Sequence, residues 1–189
     1  MTSAPRIRPA TVADLPAIVR LNVESWRATY RPILPAAFFG ARVEEMLAAK
    51  WARLPDPGFI LLAGDGDRPD GFLAQARGRG TRGGLDLPQP FISAFHVRPD
   101  RKGRGIGRAL FAALVRRLRD AGEDGVWLEV ADGNPGARAA YAALGGTEIA
   151  PFDDAIDGHA LAARRVIWRW RKKSAENAPG SLDLPPRKP

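Results

Sequence analysis

The chain has 189 residues, a formal net charge of +8 at neutral pH and no cysteine. The length suits one globular domain with a core that needs no covalent staples, and the lack of thiols excludes disulfides, thiolate metal sites and an acyl-cysteine intermediate. Arg far outnumbers Lys and is scattered among Ala, Gly and Pro, so the charge reflects composition rather than a nucleic-acid patch. Residues 1–10 lack the apolar core of a signal peptide, and no apolar run approaches the roughly 18 residues of a membrane span, so a cytoplasmic protein without a membrane partner is expected. The two histidines, His96 and His159, belong to no cluster with ligand spacing, and no metal is expected.

Arg6 to Arg8 reads as a first strand, and Thr11 with Asp14 reads as a capping pair opening a helix. Leu15, Ile18, Val19, Val23, Trp26 and Tyr30 give that helix one apolar face, which Pro32 ends. A second, weaker helical pattern follows Pro35, with Phe38, Phe39, Val43, Met46, Leu47 and Trp51 as its apolar members. Phe59 to Ala63, Gly71 to Ala76 and Phe91 to Val97 read as strands, the first two as a hairpin. Arg77 to Pro90, rich in Gly and Arg, reads as an exposed connection near the rim of a site.

From Ile106, the residues Leu110, Phe111, Leu114, Val115 and Leu118 predict a helix closed by Gly122. Val126 to Val130 then reads as a buried strand, which makes strand, loop, helix and strand a parallel crossover. Asn134 and Pro135 suit the cap and first position of a further helix ending at Gly145 and Gly146, and Arg165 to Trp170 is the last strand candidate. Residues 1–171 are therefore expected to form one domain, and 172–189 a basic, Pro-rich, disordered tail.

The segment Lys102, Gly103, Arg104, Gly105, Ile106, Gly107, Arg108 follows a strand and opens a helix, where backbone N–H groups and the helix dipole converge on an anion. Glycine lets the backbone approach a phosphate with no Cβ in the way, so a pyrophosphate is the natural ligand. A P-loop is excluded because no Gly-Lys is followed by Ser or Thr at the required spacing. A Rossmann dinucleotide site fits less well. Glu129 lies where a ribose-binding acid would, but the glycines run Gly-x-Gly-x-Gly and the polar stretch Arg98 to Lys102 separates strand from turn.

Val97-Arg98-Pro99-Asp100 leading into Lys102 to Arg108 resembles the acetyl-CoA signature of the GNAT N-acetyltransferases, with Lys102 where the family carries Arg or Gln. The resemblance continues through Trp127-Leu128-Glu129-Val130, Asn134 and Ala140 to Gly145, covers roughly Ile92 to Ile149, and extends more loosely to Ser25 to Tyr30. It implies an α/β GNAT fold, a mixed central sheet flanked by helices and splayed at the acetyl-CoA site. It implies that backbone groups of Phe95, His96 and Val97 pair with the pantetheine arm, that residues 103–108 hold the pyrophosphate, and that acetyl-CoA is the acetyl donor. Direct attack of an amine in a ternary complex then needs one proton accepted and one returned, because an alkyl amine with pKa near ~10 is mostly protonated at neutral pH.

Glu129, in an apolar strand, is the candidate base, and pairing with an Arg is the alternative reading. By resemblance Tyr141 is the general acid that protonates the departing thiolate, with a packed core tyrosine as its alternative. Asn134 can touch the pantetheine, cap its helix, or do both. His96 can act as a base or pack against the sheet, and packing is preferred. Trp26, Tyr30, Phe38 and the Arg77 to Pro90 connection are candidates for the acceptor pocket, although aromatics at helical spacing are more often core. The expected acceptor is a primary amine on a small molecule rather than a protein N-terminus, and a homodimer is allowed. Two alternatives stand: an NAD-dependent oxidoreductase with a Rossmann-like site, and a non-catalytic module that binds acyl-CoA or nucleic acid.

Overall fold

The computed structural model describes residues 5–64, 66–77, 85–156 and 158–170, with side chains throughout except at residue 37. The predicted tail and much of the connection between residues 77 and 90 lie outside the described residues. The chain divides into two compact units, Met1–Ala76 with Ser93–Ala113, and Arg77–Ile92 with Leu114–Pro189. Strand β4 (Pro90–Val97) and helix α3 (Ile106–Asp120) each run from one unit into the other.

In the first unit, β1 (Ile7–Pro9) leads into a 3-10 turn, Val12–Asp14, and then α1 (Leu15–Tyr30). The predicted capping pair starts the turn: the Thr11 backbone N–H and hydroxyl both donate to Asp14 Oδ2, at 2.7 and 2.9 Å. Arg8 grips the same carboxylate at 2.8 and 2.6 Å and holds its pKa well below the usual carboxylate range. One face of α1 is buried through Leu15, Ile18, Leu21, Val23 and Trp26. The second helical pattern is not continuous. Ala36–Phe39 forms a 3-10 turn, Gly40 is extended at φ −80° and ψ −152°, and α2 (Ala41–Lys50) begins after it.

Strands β2 (Gly58–Ala63) and β3 (Gly71–Arg77) form the expected antiparallel hairpin, with Leu61 opposite Leu73, and β1 pairs with β2 on its other side. Leu15, Ile18 and Leu21 of α1 pack on Trp51, Ile60, Leu62, Phe72, Ala74 and Ala94. Burial of each large apolar side chain in such a core contributes about 1.5–3 kcal/mol. Gly71 permits this packing. A Cβ there would lie 2.9 Å from the His96 carbonyl oxygen and 3.2 Å from Ile106 Cγ2.

In the second unit, β5 (Gly125–Ala131) runs parallel to β4, paired with it at Phe91 opposite Trp127, as a crossover through α3 requires. It runs antiparallel to β8 (His159–Arg169), from Gly125 opposite Arg169 to Ala131 opposite Ala163. Helix α4 (Pro135–Ala143) follows β5, and the strands β6 (Thr147–Glu148) and β7 (Phe152–Ile156) both pair with β8. The sequence pattern anticipated neither β6 nor β7, and it started β8 six residues late, at Arg165. Gly125 and Gly146 allow close approach, since Cβ atoms there would lie 2.6 Å from the Trp168 carbonyl oxygen and 2.5 Å from Val166 Cγ1. Trp127 and Trp168 are buried and each keeps a partner for its indole N–H, the carbonyls of Pro88 at 3.0 Å and Leu144 at 3.1 Å.

Candidate active site

The glycine turn that opens α3 lies in the first unit. Strand β4 ends at Val97, a short 3-10 turn spans Pro99–Arg101, and residues 102–105 lead into α3 at Ile106. Arg98, 5% exposed, is forked onto Asp100 at 2.7 and 2.9 Å, and Arg101 reaches Asp70 at 3.1 Å, so the exit from β4 is pinned by ion pairs. Gly103 and Gly105 occupy the left-handed region at φ +77° and +78°, where a side chain would be strained. The first intrahelical bond runs from the Ala109 N–H to the Gly105 carbonyl, so the N–H groups of Gly105, Ile106 and Gly107 have no acceptor within the helix. Ile106 is buried and anchors this turn, while Lys102, Gly103 and Arg104 are exposed and Arg108 is half-buried. The arrangement fits a phosphate, with donors at a helix N-terminus and cations around them.

At the end of β4 the alternation of the strand separates two faces. A Cβ built on Gly107 would be 3.7 Å from Phe95 Cζ and Val97 Cγ2, so those side chains face α3. His96 points the other way. Its Nδ1 is 3.0 Å from Ser25 Oγ, its Nε2 is 3.3 Å from Asn22 Nδ2, and its ring stacks on Phe72 at 5.4 Å. Burial, with lesser contributions from the charges of Lys50 and Lys102, pushes its pKa down to about 3. With both ring nitrogens paired and one face stacked on Phe72, the half-buried ring is held in place by its neighbours. Sequence reasoning missed Asn22 and Ser25, which are 1% and 4% exposed. The signal was available: both fall within the apolar stripe of α1, where a buried polar group needs a partner.

In the second unit, Glu129 faces Arg165 across the β5–β8 register, with Nε and Oε1 3.4 Å apart. Arg165 is 8% exposed and its guanidinium lies over the Phe152 ring at 4.0 Å. The Arg partner considered for Glu129 is therefore present. Asn134 caps α4, accepting the Ala137 N–H on Oδ1 at 3.1 Å. Tyr141, half-buried on the same helix, meets the Trp168 ring edge-on at 6.0 Å. Of the aromatic candidates for an acceptor pocket, Trp26 and Phe38 are buried at 7% and 3% exposure and stack on each other at 5.4 Å, which makes them core.

The family model described as Acetyltransferase (GNAT) family matches residues 18–145 of this chain. The aminoglycoside N(6')-acetyltransferase type 1 of Stenotrophomonas maltophilia is 31% identical over 122 residues, covering 65% of this chain and 72% of that protein. Two solved structures share the fold at lower identity. The PaiA N-acetyltransferase of Thermoplasma acidophilum, in complex with coenzyme A, aligns with a TM-score of 0.62 at 17% identity over 86% of this chain and 98% of that one. The ribosomal-protein-S18-alanine N-acetyltransferase of Escherichia coli aligns with a TM-score of 0.63 at 19% identity over 93% and 99%. A glycine turn at the end of β4 that opens a helix, a parallel crossover through α3 and these matches agree: the chain is an N-acetyltransferase and belongs to the GNAT family.

Proposed function

We propose that this N-acetyltransferase transfers the acetyl group of acetyl-CoA to a primary amine on a small molecule by direct attack in a ternary complex. The observation that carries the donor assignment is the turn from Lys102 to Arg108, with two left-handed glycines opening a helix and cations beside them. On this reading the N–H groups of Gly105, Ile106 and Gly107 hold the pyrophosphate, Lys102, Arg104 and Arg108 add charge, and the backbone of Phe95 to Val97 pairs with the pantetheine. The resemblance of the chain to an aminoglycoside acetyltransferase supports a small-molecule acceptor. The groove between α1 and α2 adds to this. It is lined by Glu24, Glu44 and Glu45 with Arg20 and Arg27, and Arg27 is already tied to Glu44 at 2.8 Å.

The chemistry requires a bond from the amine nitrogen to the acetyl carbon, loss of the carbon–sulfur bond, and transfer of one proton away from the amine and one onto the sulfur. Tyr141 is the group assigned to give the proton to sulfur. Glu129, held by Arg165, is assigned to accept the proton from the amine, directly or through water. A positioned acid or base contributes ~100- to 10,000-fold, so Tyr141→Phe is expected to lower kcat in that range while leaving donor binding intact.

The test is thermal stability measured in parallel with acetyl-CoA, free coenzyme A and NAD, followed by thiol release with an aminoglycoside and with an Ala-terminated peptide as acceptors. A ligand that binds only the folded state raises its stability by mass action. Stabilisation by both coenzyme A forms, and turnover with the aminoglycoside exceeding that with the peptide, is the expected result. No shift with either coenzyme A form overturns the donor assignment, and faster turnover of the peptide moves the acceptor to a protein N-terminus.

A further inference from the structure

The contacts of His96 form a chain whose direction is set at one end. Trp51 Nε1 lies 2.8 Å from Asn22 Oδ1, and an indole N–H can only donate, so Oδ1 is the acceptor. The other end of the amide, Nδ2, must therefore face His96 Nε2, which is 3.3 Å away, and an amide nitrogen can only donate. Nε2 is then the bare, accepting nitrogen of the ring. The ring proton is left on Nδ1, from which it is donated to Ser25 Oγ at 3.0 Å. Asn22 and Ser25 are three residues apart on one face of α1, Trp51 follows the last turn of α2, and His96 is on β4. The stack on Phe72 closes the ring from a further side, and the cations Lys50 and Lys102 both act against its protonation.

We propose that Asn22 and Ser25, oriented by Trp51, hold His96 as the neutral Nδ1–H tautomer and so act as positioning residues that fix the end of β4. The stretch fixed in this way is Phe95 to Val97, which the acetyl-CoA reading above assigns to the pantetheine arm, so the kinetic consequence rests on that reading. The tautomer itself does not. His96 is then an anchor that ties the backbone of the donor strand to α1 and α2, and the hydroxyl of Ser25 is the end point of the chain rather than a nucleophile activated by a base. A histidine that withdrew the serine proton would need a bare Nδ1, and in this chain of bonds Nδ1 carries the hydrogen.

The chain has two histidines, so the ¹⁵N-labelled full-length enzyme with His159→Gln leaves His96 as the one imidazole in a long-range ¹H–¹⁵N spectrum. The expected pattern is that of a neutral Nδ1–H ring, unchanged when acetyl-CoA is added. An Nε2–H pattern, or a rapidly exchanging mixture of the two tautomers, overturns the proposal. Asn22→Asp replaces the donating amide with a group that can only accept, and is expected to move the ring proton to Nε2 or to charge the ring. Retention of the Nδ1–H pattern in a folded Asn22→Asp enzyme refutes the direction of the chain. Should that variant fail to fold, Trp51→Phe releases the amide without placing a charge, and a loss of the single-tautomer pattern is expected.

Kinetically, removal of one such bond is worth about one factor of ten, so Ser25→Ala is expected to raise KM for acetyl-CoA about tenfold with a smaller change in kcat, and Ser25→Thr, which keeps the hydroxyl, to restore it. Equal changes in both variants, or a change in kcat alone, overturn the positioning role. A wild-type enzyme that shows the Nδ1–H pattern but no acetyl-CoA binding would instead overturn the donor assignment and leave the tautomer standing.

Discussion

Two polar networks, one in each unit, are held by different chemistry. In the first, Trp51, Asn22, His96 and Ser25 are joined by hydrogen bonds between neutral groups beneath a cover of Phe72 and the α1 face. In the second the partners are charged: Glu129 of β5 faces Arg165 of β8, and just beyond β5 Arg138 of α4 lies between Asp132 at 3.0 Å and Glu148 of β6 at 2.9 Å, with Arg164 of β8 on Asp132. A neutral network loses little to salt but must reject a proton, whereas an ion-pair network tolerates acid until its carboxylates protonate and is screened by added salt. Strand β4 carries His96 of the neutral network and runs on toward the glycine turn, and β5 carries the candidate base, Glu129, paired with Arg165.

The largest effect expected on this contrast comes from Phe72→Ala. The ring is fully buried, edge-on to Trp51 at 5.5 Å and stacked on His96. Its loss should cost about 3–5 kcal/mol in denaturant unfolding and admit water to the imidazole, returning the His96 pKa toward its ordinary value. A loss under about 1 kcal/mol would show that the wall over the network contributes little to it.

Acid unfolding separates the two networks next. The pKa of His96 is about 3 in the folded chain and 6.5 when unperturbed, so between those values the unfolded state binds a proton that the folded state refuses. The stability is therefore full above about pH 6.5 and falls as pH drops toward 3, by an amount on the order of 4–5 kcal/mol. Asp132 and Glu148 have pKa values lowered by their Arg partners, as has Asp14 by Arg8. Their contributions are held above the ordinary carboxylate range and lost only below it. Two acid limbs are expected in a plot of stability against pH. His96→Asn should remove the upper limb and leave the lower, and a single limb near pH 4 in the wild type would refute the assignment.

Local signals made much of this legible. The capping pair Thr11 and Asp14, the apolar stripe of α1 and the glycine turn at 103–107 depend on residues close in sequence, and the structure matches them. The two networks are not local. No pattern says that Arg165 rather than another Arg faces Glu129, because that follows from the β5–β8 register. β7 was missed because Phe152 to Ile156 carries two aspartates and is half-covered only through pairing with β8, and the start of β8 was missed because His159 to Arg164 is rich in alanine, a helix former. Asn22 and Ser25 could have been flagged as polar members of an apolar face, but their partner on β4 is more than seventy residues away.

Breaking the ionic network at its candidate catalytic member should cost less than the core change. Glu129→Gln leaves Arg165, already 8% exposed, facing a neutral amide, for a loss of about 1–3 kcal/mol. A structural pair and a catalytic base diverge in the double variant Glu129→Gln with Arg165→Met. Stability should recover because no charge is left unpaired, whereas kcat should stay at the level of Glu129→Gln if the carboxylate accepts the proton of the amine. Recovery of both would reduce Glu129 to a partner of Arg165.

The smallest effect belongs to Asn134, where a cap and a contact with the donor can be separated. Asn134→Ala removes the acceptor of the Ala137 N–H and is expected to cost ~1 kcal/mol of stability. Asn134→Asp keeps that acceptor and favours the helix dipole, so stability should hold, but it exchanges the amide donor for a negative charge. A cap alone predicts normal KM for acetyl-CoA in the aspartate variant. A donor contact predicts a raised KM with stability unchanged.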